Sequence, residues 1–209
     1  MNRSSFLKIG LLTASFCFAG LLAGCAGPGA GSGWAPLVDG GKGMENFTTI
    51  GDANWRVEGD AIVADKGKGG YLVTKNSYQD FEIYAEFWAA TDTNSGIFIR
   101  ASDRNNIGAT NAYEVNIWDI RPDPTYGTAS IVNFAPVPVP VVYKAGGKWN
   151  TLEVKAKGEE LVVRFNGVQT VYIRDGKFAK GPFALQYGAG VNGANGGAIK
   201  WRKVSIMPL

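Results

Sequence analysis

Polar and aromatic side chains alternate with apolar ones along two segments, residues 81–88 and 113–118. Successive side chains of a β-strand point to opposite faces of a sheet, so each segment predicts a strand with one apolar and one polar face. A shorter segment, residues 97–100, has the same character and ends in Arg100. If the three strands join one sheet, its polar face carries Glu82, Tyr84, Glu86, Arg100, Glu114, Asn116 and Trp118.

This set of side chains suits the recognition of a sugar. Aromatic rings stack on the apolar faces of sugar rings, and carboxylate, amide and guanidinium groups form directed hydrogen bonds with hydroxyls. A purely structural interpretation stays open, in which Arg100 and one glutamate form a cross-strand ion pair. The Asn94-Ser95-Gly96 sequence either aims an amide and backbone donors into the rim of the site or forms a simple turn.

The first 24 residues have the pattern of a bacterial lipoprotein signal peptide. Arg3 and Lys8 precede an uncharged apolar stretch, residues 9–24, that is short for a membrane span. The sequence Leu22-Ala23-Gly24-Cys25 places small residues before a cysteine whose thiol can receive a diacylglycerol. The alternative is an ordinary signal peptide that is cut near Ala26. We expect cleavage before Cys25, acylation of Cys25 with palmitate-type chains, and attachment to a membrane through this lipid anchor.

The residues after Cys25 predict how the protein is displayed. Residues 26–33 are rich in glycine and predict a flexible tether between the anchor and the domain. Ala26 rather than aspartate follows the cysteine, which favours sorting to the outer membrane in a cell with two membranes. We therefore expect a cell-envelope lipoprotein of the outer membrane.

The composition excludes several kinds of active site and one kind of partner. The 209-residue chain has no histidine, and its two cysteines, Cys17 and Cys25, lie in the leader and at the lipidation site. Ser-His-Asp triads, Cys-His nucleophiles and the usual zinc centres are therefore excluded. Removing Arg3 and Lys8 from the 21 basic residues leaves 19 against 18 acidic ones, a net charge of +1. A nearly neutral domain lacks the basic face that nucleic acid requires.

The rest of the chain predicts an all-β domain over residues 34–209. Two-residue alternation recurs throughout, and no long window has the 3.6-residue apolar period of a helix. Residues 55–64 predict a hairpin that turns at Gly59-Asp60, residues 151–172 predict three strands, and residues 183–187 and 198–207 predict the last two. Many short strands at this spacing indicate a jelly-roll sandwich of two antiparallel sheets.

The order of these segments resembles that of the 3-keto-disaccharide hydrolase family, whose domain has a concanavalin A-like jelly roll. The resemblance spans essentially residues 34–209. It rests on residues 55–63 (WRVEGDAIV), 78–83 (YQDFEI), 94–100 (NSGIFIR), 113–119 (YEVNIWD), 147–150 (GKWN), 165–168 (FNGV) and 181–186 (GPFALQ).

The resemblance implies cleavage of sugars that are already oxidised to a ketone at C3. The anomeric substituent is eliminated, and the resulting 2-hydroxy-glucal is hydrated. A C3 ketone acidifies the hydrogen on C2, so a carboxylate can remove it while an amide, a guanidinium or a divalent cation stabilises the enolate. This step needs no redox cofactor. Whether a divalent cation binds, near Asp119 or Glu86, stays open.

Carried onto this sequence, the resemblance implies a role for each matching residue. Glu114 is the expected base, and Arg100 and Asn94 contact the substrate or the enolate. The remaining expected substrate-binding residues are Asn116 and Asp119, which orient the sugar, together with Trp118, Glu86, Tyr84, Lys144 and Gln186. Many relatives have glutamine at the position of Asn116, and Gln-Asp-His-Gly at residues 186–189, where this chain has Gln-Tyr-Gly-Ala.

Two other functions are weighed against this one. Because the relatives' Asp and His are replaced, a lectin-like lipoprotein that binds glycans without cleaving them is the alternative. A retaining glucanase would need two carboxyl groups about 5 Å apart. Glu114 and Asp119 are five positions apart, which in a regular strand means roughly 16 Å and opposite faces, so this mechanism is disfavoured.

Overall fold

The computed structural model describes residues 33–209. The predicted signal peptide, the lipidation site Cys25 and the tether up to residue 32 lie outside the described residues, so these three predictions stay predictions. Among residues 33–209, no helix is long and apolar enough to cross a membrane.

The described chain folds into thirteen strands and three short 3-10 turns. The turns are Met44–Asn46, Pro124–Tyr126 and Val191–Gly193. The strands, in chain order, are β1 Ala35–Asp39, β2 Phe47–Gly51, β3 Arg56–Glu58, β4 Ala61–Ala64, β5 Gly69–Thr74, β6 Phe81–Ala89, β7 Asn94–Ile99, β8 Tyr113–Ile117, β9 Lys148–Lys157, β10 Glu160–Phe165, β11 Val168–Arg174, β12 Ala184–Gly188 and β13 Ile199–Pro208.

These strands form two antiparallel sheets. The larger sheet has eight strands in the order β11-β10-β9-β6-β13-β4-β3, with β1 also paired to β13. The smaller sheet has five strands in the order β2-β5-β12-β7-β8. The predicted two-sheet jelly roll is confirmed, and so are the hairpin β3–β4, the three-stranded run β9–β11 and the two C-terminal strands.

The core lies between the two sheets, and the predicted alternation of side chains is confirmed on both sides of it. In β6 of the larger sheet, the apolar positions 81, 83, 85 and 87 are all fully buried. In β8 of the smaller sheet, Tyr113, Val115 and Ile117 are fully buried in the same cluster. Burial of these apolar surfaces is the main favourable contribution to folding.

The polar positions of β6 and β8 do not share a face, because the two strands belong to different sheets. Each strand turns its apolar side chains toward the common core, so its polar side chains point outward on opposite sides of the sandwich. The predicted single polar face is therefore wrong. Glu82, Tyr84 and Glu86 lie on the outer face of the larger sheet, whereas Glu114 and Asn116 lie on the outer face of the smaller one.

Two loops cover part of the outer face of the smaller sheet. Residues 100–112 close a second apolar cluster over it, made of Val73, Phe98, Ala101, Ile107, Ala112 and Ala184. Residues 129–132 run along the free edge of β8 and pair with it through backbone hydrogen bonds. The backbone N–H of Asn116 donates to the carbonyl of Ser130 at 3.1 Å, and the backbone N–H of Val132 donates to the backbone carbonyl of Glu114 at 3.0 Å. The outer face next to β8 is therefore enclosed rather than open to solvent.

Candidate active site on the outer face of the smaller sheet

Strand pairing places several polar side chains in one row across the smaller sheet. Gln186 of β12 lies opposite Tyr71 of β5 on one side and Gly96 of β7 on the other. Gly96 in turn lies opposite Asn116 of β8. Ser130 follows at the sheet edge, where its backbone carbonyl accepts a hydrogen bond from the backbone N–H of Asn116. The row therefore contains the phenol of Tyr71, the amides of Gln186 and Asn116 and the hydroxyl of Ser130. Gly96, which has no side chain, separates the two amides.

Glu114 lies in the adjacent row, directly opposite Phe98. Its exposed fraction is 7 %, and no hydrogen bond to its carboxyl group is present within residues 33–209. Burial raises the pKa of Glu114 to about 7, and the charge of Arg121 offsets part of this rise. A carboxyl group without partners and with a pKa near neutrality is suited to accept a proton.

Arg121 contacts Trp118 and acts on the Glu114 carboxylate through its charge. The Arg121 guanidinium carbon is 5.5 Å from the centre of the Trp118 ring, within the range of a cation–π contact. Arg121 influences the Glu114 pKa through its charge. Arg121 therefore supplies the positive charge that acts on the base, whereas the sequence analysis expected the Arg100 guanidinium to contact the substrate or the enolate.

The row and its surroundings hold most of the buried polar atoms that lack a partner. Within residues 33–209, seven such side-chain atoms occur, and five belong to this region: Asn116 Oδ1, Trp118 Nε1, Arg121 Nε, Ser130 Oγ and Gln186 Oε1. Buried polar atoms are normally hydrogen-bonded, because leaving one unpaired costs about 1–3 kcal/mol. Their occurrence in this row and in the loop after β8 favours this region as the place where a polar molecule binds.

Tyr71 adds a hydroxyl group to the same row. Burial raises the pKa of Tyr71, the Gln186 amide offsets part of the rise, and the Glu114 charge adds to it. The Tyr71 ring packs edge-on against Phe98 at 5.4 Å. Tyr71 therefore keeps its proton at neutral pH and can serve as a hydrogen-bond donor.

Asn94, a predicted substrate contact, is engaged with the loop after β12. Its Nδ2 donates to Ala189 O at 2.6 Å. A Cβ at position 188 would lie 2.7 Å from this same nitrogen, so Asn94 fills the space that a side chain at Gly188 would need. Gly188 stands where the family resemblance implies histidine, and the neighbouring Tyr187 is buried in the core, where its hydroxyl donates to Gly196 O at 2.9 Å.

Arg100 does not contact the site. Its φ of 54° ends the regular alternation of β7 at Ile99, and its guanidinium turns into the end of the sandwich. There it donates to Gln79 O at 2.8 Å, Gly158 O at 2.7 Å and Phe178 O at 3.3 Å, and it pairs with Asp80 at 3.2 Å. Arg100 has an exposed fraction of 1 %, and its four partners come from three separate segments of the chain. Its role is therefore structural, since it links these segments by hydrogen bonds. The prediction that it lies on the polar face is wrong.

Asp119 and Lys144 lie at the end of β8. Both carboxylate oxygens of Asp119 are occupied, by the Thr128 hydroxyl at 2.6 Å and by the amides of Ala145 and Gly146 at 3.0 and 2.9 Å. Asp119 therefore joins the two ends of the long loop that follows β8. Lys144 is exposed next to this junction, and within residues 33–209 its ammonium group forms no ion pair.

The donors around Glu114 do not fit a divalent cation. Within the described part of the chain, no group of three or more acidic side chains, the only ionisable metal ligands it has, is arranged to hold a metal ion. Asp119 is fully engaged, and Glu86 lies on the other sheet. The neighbours of Glu114 are amides, a hydroxyl and a guanidinium, and a guanidinium repels a cation.

Three residues of this region were missed from the sequence: Tyr71, Arg121 and Ser130. Tyr71 lies in β5, which begins with two glycines and was not predicted as a strand. Arg121 and Ser130 lie in the loop after β8, where no periodic pattern exists. The only available signal was the resemblance to the family around residues 113–119, which stops just before Arg121.

The comparisons with known proteins agree on the fold. The chain is similar to two candidate glycosyl hydrolases from Parabacteroides distasonis. The first is 23 % identical, with a TM-score of 0.66 over 84 % of this chain and 99 % of that one, and the second is 17 % identical, with a TM-score of 0.70 over 84 % and 94 %. A Bacillus subtilis protein with a galectin-like fold is 8 % identical, with a TM-score of 0.53 over 78 % and 90 %.

The family comparison covers almost the whole described chain. Among curated proteins, none is similar enough to count as a match. The family model described as a 3-keto-alpha-glucoside-1,2-lyase-like domain matches residues 33–207. The chain therefore belongs to the 3-keto-alpha-glucoside-1,2-lyase-like family of carbohydrate-active proteins.

Proposed function

We propose that this protein cleaves glycosides that carry a ketone at C3, by elimination across C1 and C2 followed by hydration. The observation that carries the proposal is Glu114, a buried carboxyl group with a pKa raised to about 7 and no hydrogen-bond partner, beside a row of unpaired polar atoms. Membership of the 3-keto-alpha-glucoside-1,2-lyase-like family supports the proposed substrate class. The strand register and the burial of the polar side chains support the roles proposed below.

In the first half-reaction, Glu114 takes the proton from C2. The electrons of the C2–H bond form an enolate with the C3 carbonyl, and the enolate then expels the substituent at C1. The C1–O bond breaks, C1 and C2 become doubly bonded, and the departing oxygen takes up a proton from solvent water. In the second half-reaction, water adds its hydroxyl to C1 and releases its remaining proton to solvent, while Glu114 returns to C2 the proton that it removed. The sum is hydrolysis, with no change in oxidation state.

Arg121 is the group best placed to stabilise the enolate. It carries the positive charge that acts on Glu114, and its Nε is buried without a partner. A fixed cation in a partly buried site stabilises developing negative charge more than it would in water. Arg121 therefore fills the role that the sequence interpretation left to an amide, a guanidinium or a metal ion.

The remaining polar groups hold the sugar. Asn116 uses its Nδ2 to donate to Tyr126 O at 2.6 Å, which leaves its Oδ1 free to accept from a sugar hydroxyl. Gln186 Oε1 and Ser130 Oγ are likewise buried and unpaired. Trp118 offers its indole nitrogen as a donor. Amide, hydroxyl and indole groups of these kinds form hydrogen bonds with sugar hydroxyls.

The test is to incubate the purified protein with a 3-keto-glucoside or 3-keto-trehalose and measure release of the sugar or aglycone. Release by the natural protein, lost in Glu114→Gln, supports the proposal. Binding of the 3-keto-sugar without release would support the lectin-like alternative, consistent with Tyr187 and Gly188 in place of the relatives' Asp and His. Equal release by natural protein and variant would remove Glu114 from the mechanism.

We also propose that the protein is an outer-membrane lipoprotein anchored through Cys25. The motif of residues 22–25 and the glycine-rich tether support this proposal. Metabolic labelling with palmitate should mark the natural protein and leave Cys25→Ser unlabelled. Recovery of a labelled Cys25→Ser protein, or of natural protein in the soluble envelope fraction, would contradict it.

A further inference from the structure

A groove of about 250 Å³ crosses the outer face of the larger sheet. It is lined by Tyr84, Glu86, Trp149, Asn150, Thr151, Asn166 and Arg202. The groove lies on the side of the sandwich opposite to Glu114, because β6, β9 and β13 all belong to the larger sheet. The chemistry proposed above does not use any of these residues.

The side chains that line the groove contact one another and so fix each other's positions. Arg202 lies over the Trp149 ring, with its guanidinium carbon 4.2 Å from the ring centre. Its Nε donates to Glu86 at 2.7 Å, and the Tyr84 hydroxyl donates to the other oxygen of Glu86 at 2.9 Å. Side chains fixed in this way lose little further entropy when a ligand binds.

Several polar groups remain available in the groove. Arg202 uses only Nε among its nitrogens for hydrogen bonds within residues 33–209, so both Nη groups can pair with a ligand. Thr151 lies opposite Glu86 across β9 and β6 and places a small hydroxyl side chain on the floor. By contrast, Asn166 is fully engaged, since its Nδ2 donates to Asn150 Oδ1 and its Oδ1 accepts from the Thr151 amide.

Charge around the groove favours an anion. Burial opposes ionisation of Glu86, but Arg202 and Tyr84 outweigh it and lower the Glu86 pKa, so Glu86 is ionised and paired with Arg202. Lys200 lies over Trp88 at 5.2 Å and Lys203 over Tyr84 at 5.7 Å, and neither forms an ion pair in the described chain. On the same face, Glu153 of β9 lies opposite Tyr84 of β6 and opposite Arg164 of β10, so strand pairing places one further charge of each sign beside the groove.

We infer that this groove is a second carbohydrate-binding site, specific for a polysaccharide unit that carries a carboxylate. The two Nη groups of Arg202 match a carboxylate in a bidentate pair. Arg202 covers one face of the Trp149 ring, and the rest of this side chain, with an exposed fraction of 37 %, offers apolar surface for the sugar, while the Thr151 hydroxyl meets a sugar hydroxyl. Lys200 and Lys203 attract neighbouring carboxylates of the same chain. The site would hold the protein on an acidic polysaccharide independently of turnover at Glu114.

Affinity electrophoresis of the full chain in gels that contain polygalacturonate tests this inference, with dextran as the neutral control. The natural protein should be retarded by polygalacturonate only. Trp149→Ala and Arg202→Gln should each weaken retention by about tenfold or more. Tyr172→Ala is the matched control, because Tyr172 is an aromatic residue of the same sheet with an exposed fraction of 56 % outside the groove. It should bind as the natural protein does.

Two further variants keep the result interpretable. Arg202→Lys preserves the positive charge but not the bidentate pair, so it should fold normally and still lose retention if the carboxylate is recognised as described. Glu114→Gln should bind polygalacturonate like the natural protein, which separates this site from the proposed activity. Unchanged retention of Trp149→Ala, retention by dextran instead of polygalacturonate, or loss of retention in Glu114→Gln would each overturn the inference.

Discussion

Phe98 and Glu114 face each other across β7 and β8, on the outer side of the smaller sheet. The ring of Phe98 also belongs to the apolar cluster that residues 100–112 close over this face. A carboxyl group held against such a cluster loses solvation when it ionises, and this loss raises the Glu114 pKa to about 7. The apolar cluster therefore contributes to the proposed chemistry by raising the pKa of Glu114.

The pH dependence of the proposed reaction follows from this pKa. The base must be deprotonated, so kcat/KM should rise tenfold per pH unit below about 7 and level off above it. A profile of kcat/KM from pH 5 to 9 measures this. A plateau that extends unchanged down to pH 5 would show that Glu114 is not the base.

Glu114→Gln should also change stability in a pH-dependent manner. The unfolded carboxyl group ionises near pH 4.5, whereas the folded one holds its proton up to about 7. The free energy of unfolding therefore falls as pH rises between these values, and the penalty is complete above pH 7. Removing it should stabilise the protein by up to about 3 kcal/mol at pH 8 and by almost nothing at pH 4.

Urea unfolding at both pH values measures this difference, and Glu86→Gln is the matched control. The pKa of Glu86 is lowered in the folded state, because Arg202 and Tyr84 outweigh the effect of burial. Ionised Glu86 therefore stabilises the protein at pH values above its pKa in the unfolded state. This stabilisation is lost as the pH falls through its pKa in the folded state. Glu86→Gln should destabilise the protein at pH 8, the opposite sign. Two variants with the same sign would contradict the assignment of the pKa shifts.

Arg121 should affect both the rate and the pH profile. Arg121→Gln removes the cation proposed to stabilise the enolate and should lower kcat by about 10² to 10³. Because the Arg121 charge also lowers the Glu114 pKa, its removal should move the acid limb of kcat/KM to higher pH. Arg121→Lys should restore part of both effects. A variant that loses activity without any shift of the acid limb would indicate that Arg121 acts at a distance from Glu114.

Much of the fold was predictable from the sequence, because a strand of a two-layer sandwich turns every second side chain toward the core. Residues 81–88 and 113–118 gave both the strands and their inward faces. The pattern does not say which sheet a strand joins. Pairing is decided by contacts distant in sequence, such as β6 with β13, so Glu86 and Glu114 could be assigned outward positions but not opposite sides of the molecule.

The candidate site was predictable only where it lies on a strand. Glu114 and Asn116 occupy regular strand positions and were identified from the alternation, and Gln186, also on a strand, was identified from the family resemblance. Arg121 and Ser130 lie in a loop whose path is set by Asp119 and by pairing along the edge of β8. Arg100 was misplaced because a positive φ ends the alternation one residue earlier than the pattern suggests.

Replacement of Arg100 tests the structural role assigned to it here. Arg100→Met would leave the carbonyls of Gln79, Gly158 and Phe178 and the Asp80 carboxylate without their donor. Removing one member of such a buried network typically costs about 3 kcal/mol or more. We expect a corresponding fall in the free energy of unfolding, measured in urea, with the acid limb of the pH profile unchanged for protein that remains folded. Asp80→Asn should cost less, because Asp80 is partly exposed and the three carbonyl contacts persist. If Arg100→Met were as stable as the natural protein but inactive, Arg100 would belong to the site after all. Replacing a residue with a purely structural role should lower activity only through a loss of stability.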